Sequence, residues 1–167
     1  MKTVTVQALS VEAFLPFGYY ANLIDPDTDK IGQVPTTFYR DMLQQDMGAA
    51  TITSFSVVCV EQRETLIDVT EFHSRCGEGI LPLDNDMLIH VAPATPPDAP
   101  VPLEKIRVFN VPQGTMIVLR PGVWHHAPFT PNGDVANVLI VLPERAYAND
   151  CTVVELEAAD QIKIIEA

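Results

Sequence analysis

Basic residues are scarce in this chain. Ten Lys and Arg stand against twenty-two Asp and Glu, for a net charge of −12. Such a field repels phosphate backbones, so nucleic acid is not expected as a partner. A small anionic substrate is still compatible, because a site can be locally basic. Cysteine is sparse as well: Cys59, Cys76 and Cys151 form an odd set without C-x-x-C spacing. A disulfide framework is therefore not expected, and a reducing, cytoplasmic setting is. No stretch approaches ~18 uninterrupted apolar residues, so no membrane span is expected. The opening MKTVTVQALS lacks the apolar segment of a signal peptide. Helical stripes of ten or more residues are nearly absent.

What is there reads as strands. Hydrophobic residues make up 47% of 167 residues, enough to bury a core within one domain spanning 1–167. TVTVQAL (3–9) alternates and is rich in β-branched residues. YYANLI, ATITSFSVVCVEQ, TLIDVTEFH, MLIHVAPA, IRVFNV, TMIVLR and NVLIVLPE continue the series. CTVVELE and QIKIIEA are expected to add edge strands. SVEAFLPFG offers a Ser10 cap, one helical turn and the breakers Pro16 and Gly18. FYRDMLQQDM (38–47) is the other helix candidate. PATPPDAPVP carries five prolines and is expected to be a stiff surface loop. Short strands at regular spacing predict an all-β sandwich or barrel with short helical turns.

Histidine is also rare, at four residues, and two of the four are adjacent in PGVWHHAPF beside the only tryptophan. Two stretches hold the candidate chemistry. EFHSRCGEGILPL carries His73 and Glu78; GTMIVLRPGVWHH carries Gly114, Gly122 and His125. Neutral imidazoles and a carboxylate are good ligands for a divalent metal ion. His73, Glu78 and His125 would form a facial triad with open positions. Either His125 or His126 could act as acid and base, since imidazole titrates near neutrality. Arg120 could clamp a carboxylate through two hydrogen bonds, with Arg75 a second candidate. The pocket is expected to be less acidic than the surface, with these arginines pointing into it. His90, in an apolar run, and Trp124 read as packing residues. Nothing marks Cys76 as a nucleophile.

The spacing from Gly114 through Gly122 to His125 resembles the second motif of the cupin superfamily, with Arg120 at the motif's proline and Phe129 at its asparagine. The first motif wants His-x-His followed by Glu. Here His73 matches it, Arg75 stands at the second histidine and Glu78 falls slightly early. A closer resemblance is to the ureidoglycolate lyase family, itself cupin-like. It rests on Glu71, His73, Pro82 and Leu83, on VWHHAPF, on the segment ending at Cys151 and on AFLPFG (13–18). Leu119, Arg120 and Pro121 replace that family's Tyr-His-Arg, and Glu78 replaces its usual Gln.

The resemblance implies a cupin-like jelly-roll barrel, a homodimer and a lyase that releases urea from ureidoglycolate to give glyoxylate, a step in allantoin breakdown, or that acts on a closely related small hydroxy acid. On this expectation His125, His126 and Arg120 are catalytic, and His73, Glu78 and His125 hold a divalent metal ion of unknown identity or, in a metal-free site, His73 and Glu78 orient the substrate. Two other readings stay open. One is a metal-dependent oxygenase or isomerase of a small acid. The other is a non-catalytic cupin that binds a small molecule.

Overall fold

Alternating apolar and polar positions become two facing five-stranded sheets. The computed structural model describes residues 2–96, 98–131 and 135–166; Pro97 of the proline loop and the final Ala167 lie outside them. The strands are β1 (Lys2–Ala8), β2 (Gly18–Asn22), β3 (Lys30–Gln33), β4 (Thr36–Tyr39), β5 (Thr53–Val60), β6 (Leu66–Ile67) and β7 (Val69–Phe72). They continue as β8 (Glu78–Pro82), β9 (Met87–Val91), β10 (Arg107–Val111), β11 (Thr115–Leu119), β12 (Ala136–Pro143), β13 (Thr152–Glu155) and β14 (Ile162–Ile165). One sheet runs β6-β14-β1-β10-β9 and the other β2-β11-β8-β12-β5; β13 pairs with β7 and β3 with β4. The expected all-β jelly roll is the observed fold.

The core lies between the sheets. Met87, Ile89 and Val91 of β9 meet Ile80 of β8 and Ile117 and Leu119 of β11 there. The other face of β9 is buried too: Leu88 and Ala92 join a second cluster with Phe72, Trp124 and Phe129. Trp124 is the anchor of that cluster, as the sequence suggested. Its ring packs edge-on against Phe72 at 4.6 Å, and its Nε1–H donates to Thr95 Oγ1 at 3.0 Å. The proline loop thereby ties down the segment that carries the histidine pair.

Three expectations are corrected. The stretch 38–47 forms no helix. Its first two residues end β4, and Asp41 adopts a positive φ of 52°, which interrupts any helical run. Gln45 instead donates to the carbonyls of Gly77 (3.0 Å) and Val141 (2.8 Å), bracing the start of β8 from outside. β14 is not an edge strand, since it lies between β1 and β6. The hairpin β3–β4 was not expected, and only its last two residues overlap the helix candidate. By contrast, the Ser10-capped turn is present as α1 (Val11–Phe14), with Ser10 Oγ accepting from the Ala13 N–H.

Trp124→Ala should cost about 3–5 kcal/mol, because it removes a buried ring together with its hydrogen bond. Chemical denaturation measures this. A loss below about 1 kcal/mol would show that the Trp124 cluster does not anchor the loop.

Candidate functional site

Two segments meet edge to edge to build the site. Glu71 on β7 and His125 exchange backbone hydrogen bonds, at 2.6 and 2.8 Å. Such a directly opposed pair places its side chains on the same face. Gly122 donates its N–H to the His73 carbonyl at 2.6 Å and turns the chain with a φ of 80°, a conformation that favours glycine. Glu78 opens β8 and shares a face with Ile80, so it looks into the space between the sheets.

The three predicted ligands converge. His73 Nε2 lies 3.0 Å from Glu78 Oε2, and His125 Nε2 lies 2.8 Å from the same oxygen. All three are buried, at 4%, 3% and 6% exposure for His73, His125 and Glu78. The other ring nitrogens are committed: His73 Nδ1 sits 2.6 Å from the Asp150 carbonyl and His125 Nδ1 2.8 Å from the Val123 carbonyl. A carbonyl only accepts, so each Nδ1 carries the proton. In the neutral tautomer both Nε2 lone pairs then face a carboxylate. That arrangement is unfavourable unless a positive charge sits between them, either protons on the rings or a metal ion. Histidine ligands of metals commonly donate their second nitrogen to a carbonyl in this way. The ligand atoms of His73, Glu78 and His125 lie within 4.8 Å of one another, and so do those of Glu71, His73 and Cys151. The donor set fits a divalent ion.

These contacts set the titration. Burial would raise the Glu78 pKa, but His125 and His73 hold it down to about 2. Burial opposes charge on His73 and His125, yet Glu78 and the carbonyl partners raise both pKa values above the usual imidazole range. His126 goes the other way: burial lowers its pKa, so it is neutral near pH 7. His90 is buried and neutral, pushed down to about 3 by burial and by its neighbours His125 and His126. Its Nε2 lies 3.2 Å from Thr70 Oγ1, and that hydroxyl donates to the His125 carbonyl at 3.3 Å. His90 is thus a packing residue that also steadies the His125 segment.

The pocket has a volume of about 230 Å³. Ile80, Ile140 and Leu142 form an apolar wall, Ser54 and Ser56 of β5 add hydroxyls, and His126, Tyr147 and Cys151 complete the lining. Neither expected arginine is there. Leu119 points into the core, so the next side chain, Arg120, leaves by the opposite face. Its guanidinium stacks on Tyr19 at 4.5 Å and donates to the Leu15 carbonyl, beside Asp46 and Gln45 in another cavity. Arg75 is exposed, in a turn where the Asp150 carboxylate accepts from its N–H and from Ser74. The carboxylate-clamp role is withdrawn for both. The pocket is not less acidic than the surface either, since Glu71 and Glu78 line it and Lys and Arg do not.

The structure also shifts the first motif by two residues. Glu71 and His73, not His73 and Arg75, are the pair that reaches the pocket, because the chain leaves β7 after Phe72 and turns outward at Ser74. Glu71, Cys151, Ser54 and Ser56 were not singled out as site residues from sequence; alternation along β7 and β5 was the available signal. Cys76 is buried outside the pocket, its thiol pushed up to about 12 by burial, which leaves it no nucleophilic role at neutral pH.

The two charge states of the cluster predict opposite pH slopes. Without metal, the raised histidines stabilise the fold below about pH 6.5, and this is lost as pH rises through their native pKa values. The Glu78 contribution is lost as pH falls towards 2. Metal-free protein should therefore lose stability as pH rises above the ordinary imidazole value of about 6.5. Stabilisation by an added divalent ion should grow over the same range, since protons compete for Nε2. Thermal melts with chelator and with metal test this; parallel slopes would remove the cluster from metal binding.

Comparison with known proteins agrees with this architecture. A protein from Pseudomonas aeruginosa named ureidoglycolate lyase is 32% identical over 157 residues, covering 90% of this chain and 89% of that protein. One of the same name from Stutzerimonas stutzeri is 28% identical over 156 residues, covering 90% of this chain and 88% of that protein. A dTDP sugar isomerase from Desulfovibrio desulfuricans shares the fold, with a TM-score of 0.50 at 14% identity, over 87% of this chain and 89% of that one. The family model described as Ureidoglycolate lyase matches residues 1–164. The chain belongs to the ureidoglycolate lyase family.

Proposed function

We propose that this protein cleaves ureidoglycolate to glyoxylate and urea, with a divalent metal ion held by His73, Glu78 and His125. The supporting observation is the pair of buried Nε2 atoms aimed at one Glu78 oxygen, 3.0 and 2.8 Å away, with both Nδ1 atoms already committed. The pocket lining offers no lysine or arginine among the described residues. An anionic substrate needs a positive charge, and when bound the metal would supply it and polarise the substrate oxygens.

The remaining steps belong to the chain's own side chains. His126 lines the pocket and is neutral, so its ring can take the proton of the substrate hydroxyl. As that oxygen becomes a carbonyl, the carbon–nitrogen bond breaks and its electrons leave with the ureido nitrogen. The same ring returns the proton to that nitrogen, which departs as urea, so no net proton is consumed. Ser54 and Ser56 offer hydroxyls to the ureido group. The apolar wall excludes water and strengthens each of these contacts.

Glu78→Gln, nearly isosteric, should keep the fold, weaken metal binding and lower urea release in parallel. His126→Asn should leave metal content unchanged and reduce kcat by about 10²-fold or more. Elemental analysis and a urea-release assay on wild type and both variants decide. Unchanged metal in Glu78→Gln returns the assignment to the histidines. Oxygen consumption in place of urea release would favour the oxygenase reading.

A cytoplasmic homodimer completes this reading. Phe55 and Val57 of the edge strand β5 are 72% and 60% exposed, and a second copy would cover them. Light scattering should give twice the chain mass, and Val57→Lys should shift it towards the monomer.

A further inference from the structure

Glu71 lines the pocket and is not used by the reaction steps above. We propose that Glu71 determines specificity: its two carboxylate oxygens receive the two parallel N–H groups of the substrate's ureido end. The pocket then selects acids that end in a urea over acids of the same shape that end in a plain amide. The inference rests on the substrate class given under Proposed function and adds a recognition group to it.

Glu71 is held from both edges of its strand. Val153 of β13 is its partner on one side and His125 on the other. Its side chain emerges on the His125 face, into the pocket. There its carboxylate lies within 4.8 Å of the ligand atoms of His73 and Cys151, whereas the group proposed for the ion is His73, Glu78 and His125. Glu71 thus borders that cluster without belonging to it. A small acid anchored at the cluster brings its other end within reach of Glu71.

The ureido group has two unlike sides. One side is an acceptor oxygen, and the other presents one N–H from each nitrogen, pointing the same way. A carboxylate meets two parallel N–H donors as a fork, as it meets a guanidinium. Glu78 is already engaged by two imidazoles, and the hydroxyls of Ser54 and Ser56 suit the ureido oxygen. Among the described residues no lysine or arginine pairs with Glu71. Its side-chain hydrogen bond is the one that Oε2 accepts from the Cys151 thiol at 3.2 Å, which leaves lone pairs on both oxygens. A site built to receive a substrate N–H rejects the analogue that lacks it, because its own acceptor is then left unpaired.

The test uses two unreactive acids of nearly equal shape. N-carbamoylglycine keeps the urea, and N-acetylglycine has a methyl group in place of the terminal NH₂. Calorimetric titration of the full-length protein, with its metal content measured, should show N-carbamoylglycine binding about 10-fold tighter or more. Glu71→Gln is nearly isosteric, yet its amide offers one acceptor and turns an NH₂ towards the second N–H. It should bring the two affinities to within about 2-fold of each other, with metal content and the affinity for N-acetylglycine unchanged. Glu71→Asp keeps the fork and should retain part of the preference. Binding of neither acid, equal affinities in wild type, a preference that survives in Glu71→Gln, or loss of metal from that variant overturns the role of Glu71. Urea release from ureidoglycolate, assayed separately, would leave the lyase reading standing in each of those cases. A preference that depends on Glu71 in a protein that releases no urea sustains the ureido subsite and overturns the lyase reading.

Discussion

One buried carboxylate shared by two imidazoles governs this structure. Glu78 sits at 6% exposure with a ring nitrogen on either side of the same oxygen. Burying a charge is costly unless it is paired and hydrogen-bonded. Here the pairing is provided by segments far apart in sequence. β8 supplies the carboxylate, the end of β7 supplies His73, and the Gly122 turn supplies His125. Each ring is oriented by a backbone carbonyl, so neither can rotate away without losing a buried hydrogen bond. The geometry of the cluster is therefore a property of the backbone.

That constraint also explains where positive charge is absent. The strand alternation that points Leu119 inward sends Arg120 out to Tyr19. Arg75 falls in the turn fastened by Asp150. Arg63, at the rim, is occupied in bracing the histidine loop: its guanidinium lies 3.9 Å over Phe129 and donates to the Ala127 and Pro128 carbonyls at 2.8 and 3.2 Å. Among the described lining residues, two glutamates face three imidazoles and no lysine or arginine, so an anion meets no fixed positive charge beyond the rings.

How much of this was legible in the sequence depended on the range of the interaction. Alternation in β1, β5, β9 and β12 is local, and it gave the sheets. The Gly-x-x-His spacing is also local, and it located His125 beside a turn with positive φ. Phe38–Met47 has a helix-like composition, yet Gln45 finds partners in the carbonyls of Gly77, before β8, and Val141 of β12, a tertiary contact that outweighs propensity. Glu71 was overlooked as a pocket residue because the motif was anchored on His73 and counted forward to Arg75. Only the pairing of Glu71 with His125 reveals that the motif starts two residues earlier.

The same pairing logic links the His73–Glu78–His125 cluster to the segment at Asp150 and Cys151. Asp150 holds the turn after β7 by accepting from the N–H groups of Ser74 and Arg75, at 2.9 and 2.8 Å, and from the Ser74 hydroxyl at 2.7 Å. Its carbonyl orients His73, and its neighbour Cys151 reaches the Glu71 carboxylate. One dipeptide therefore sets a ring, a turn and a thiol together. A lone cysteine elsewhere on the barrel would be a packing residue, as Cys76 is. Cys151 differs because the backbone contact that aims His73 at Glu78 is the contact that delivers its sulfur to the same pocket.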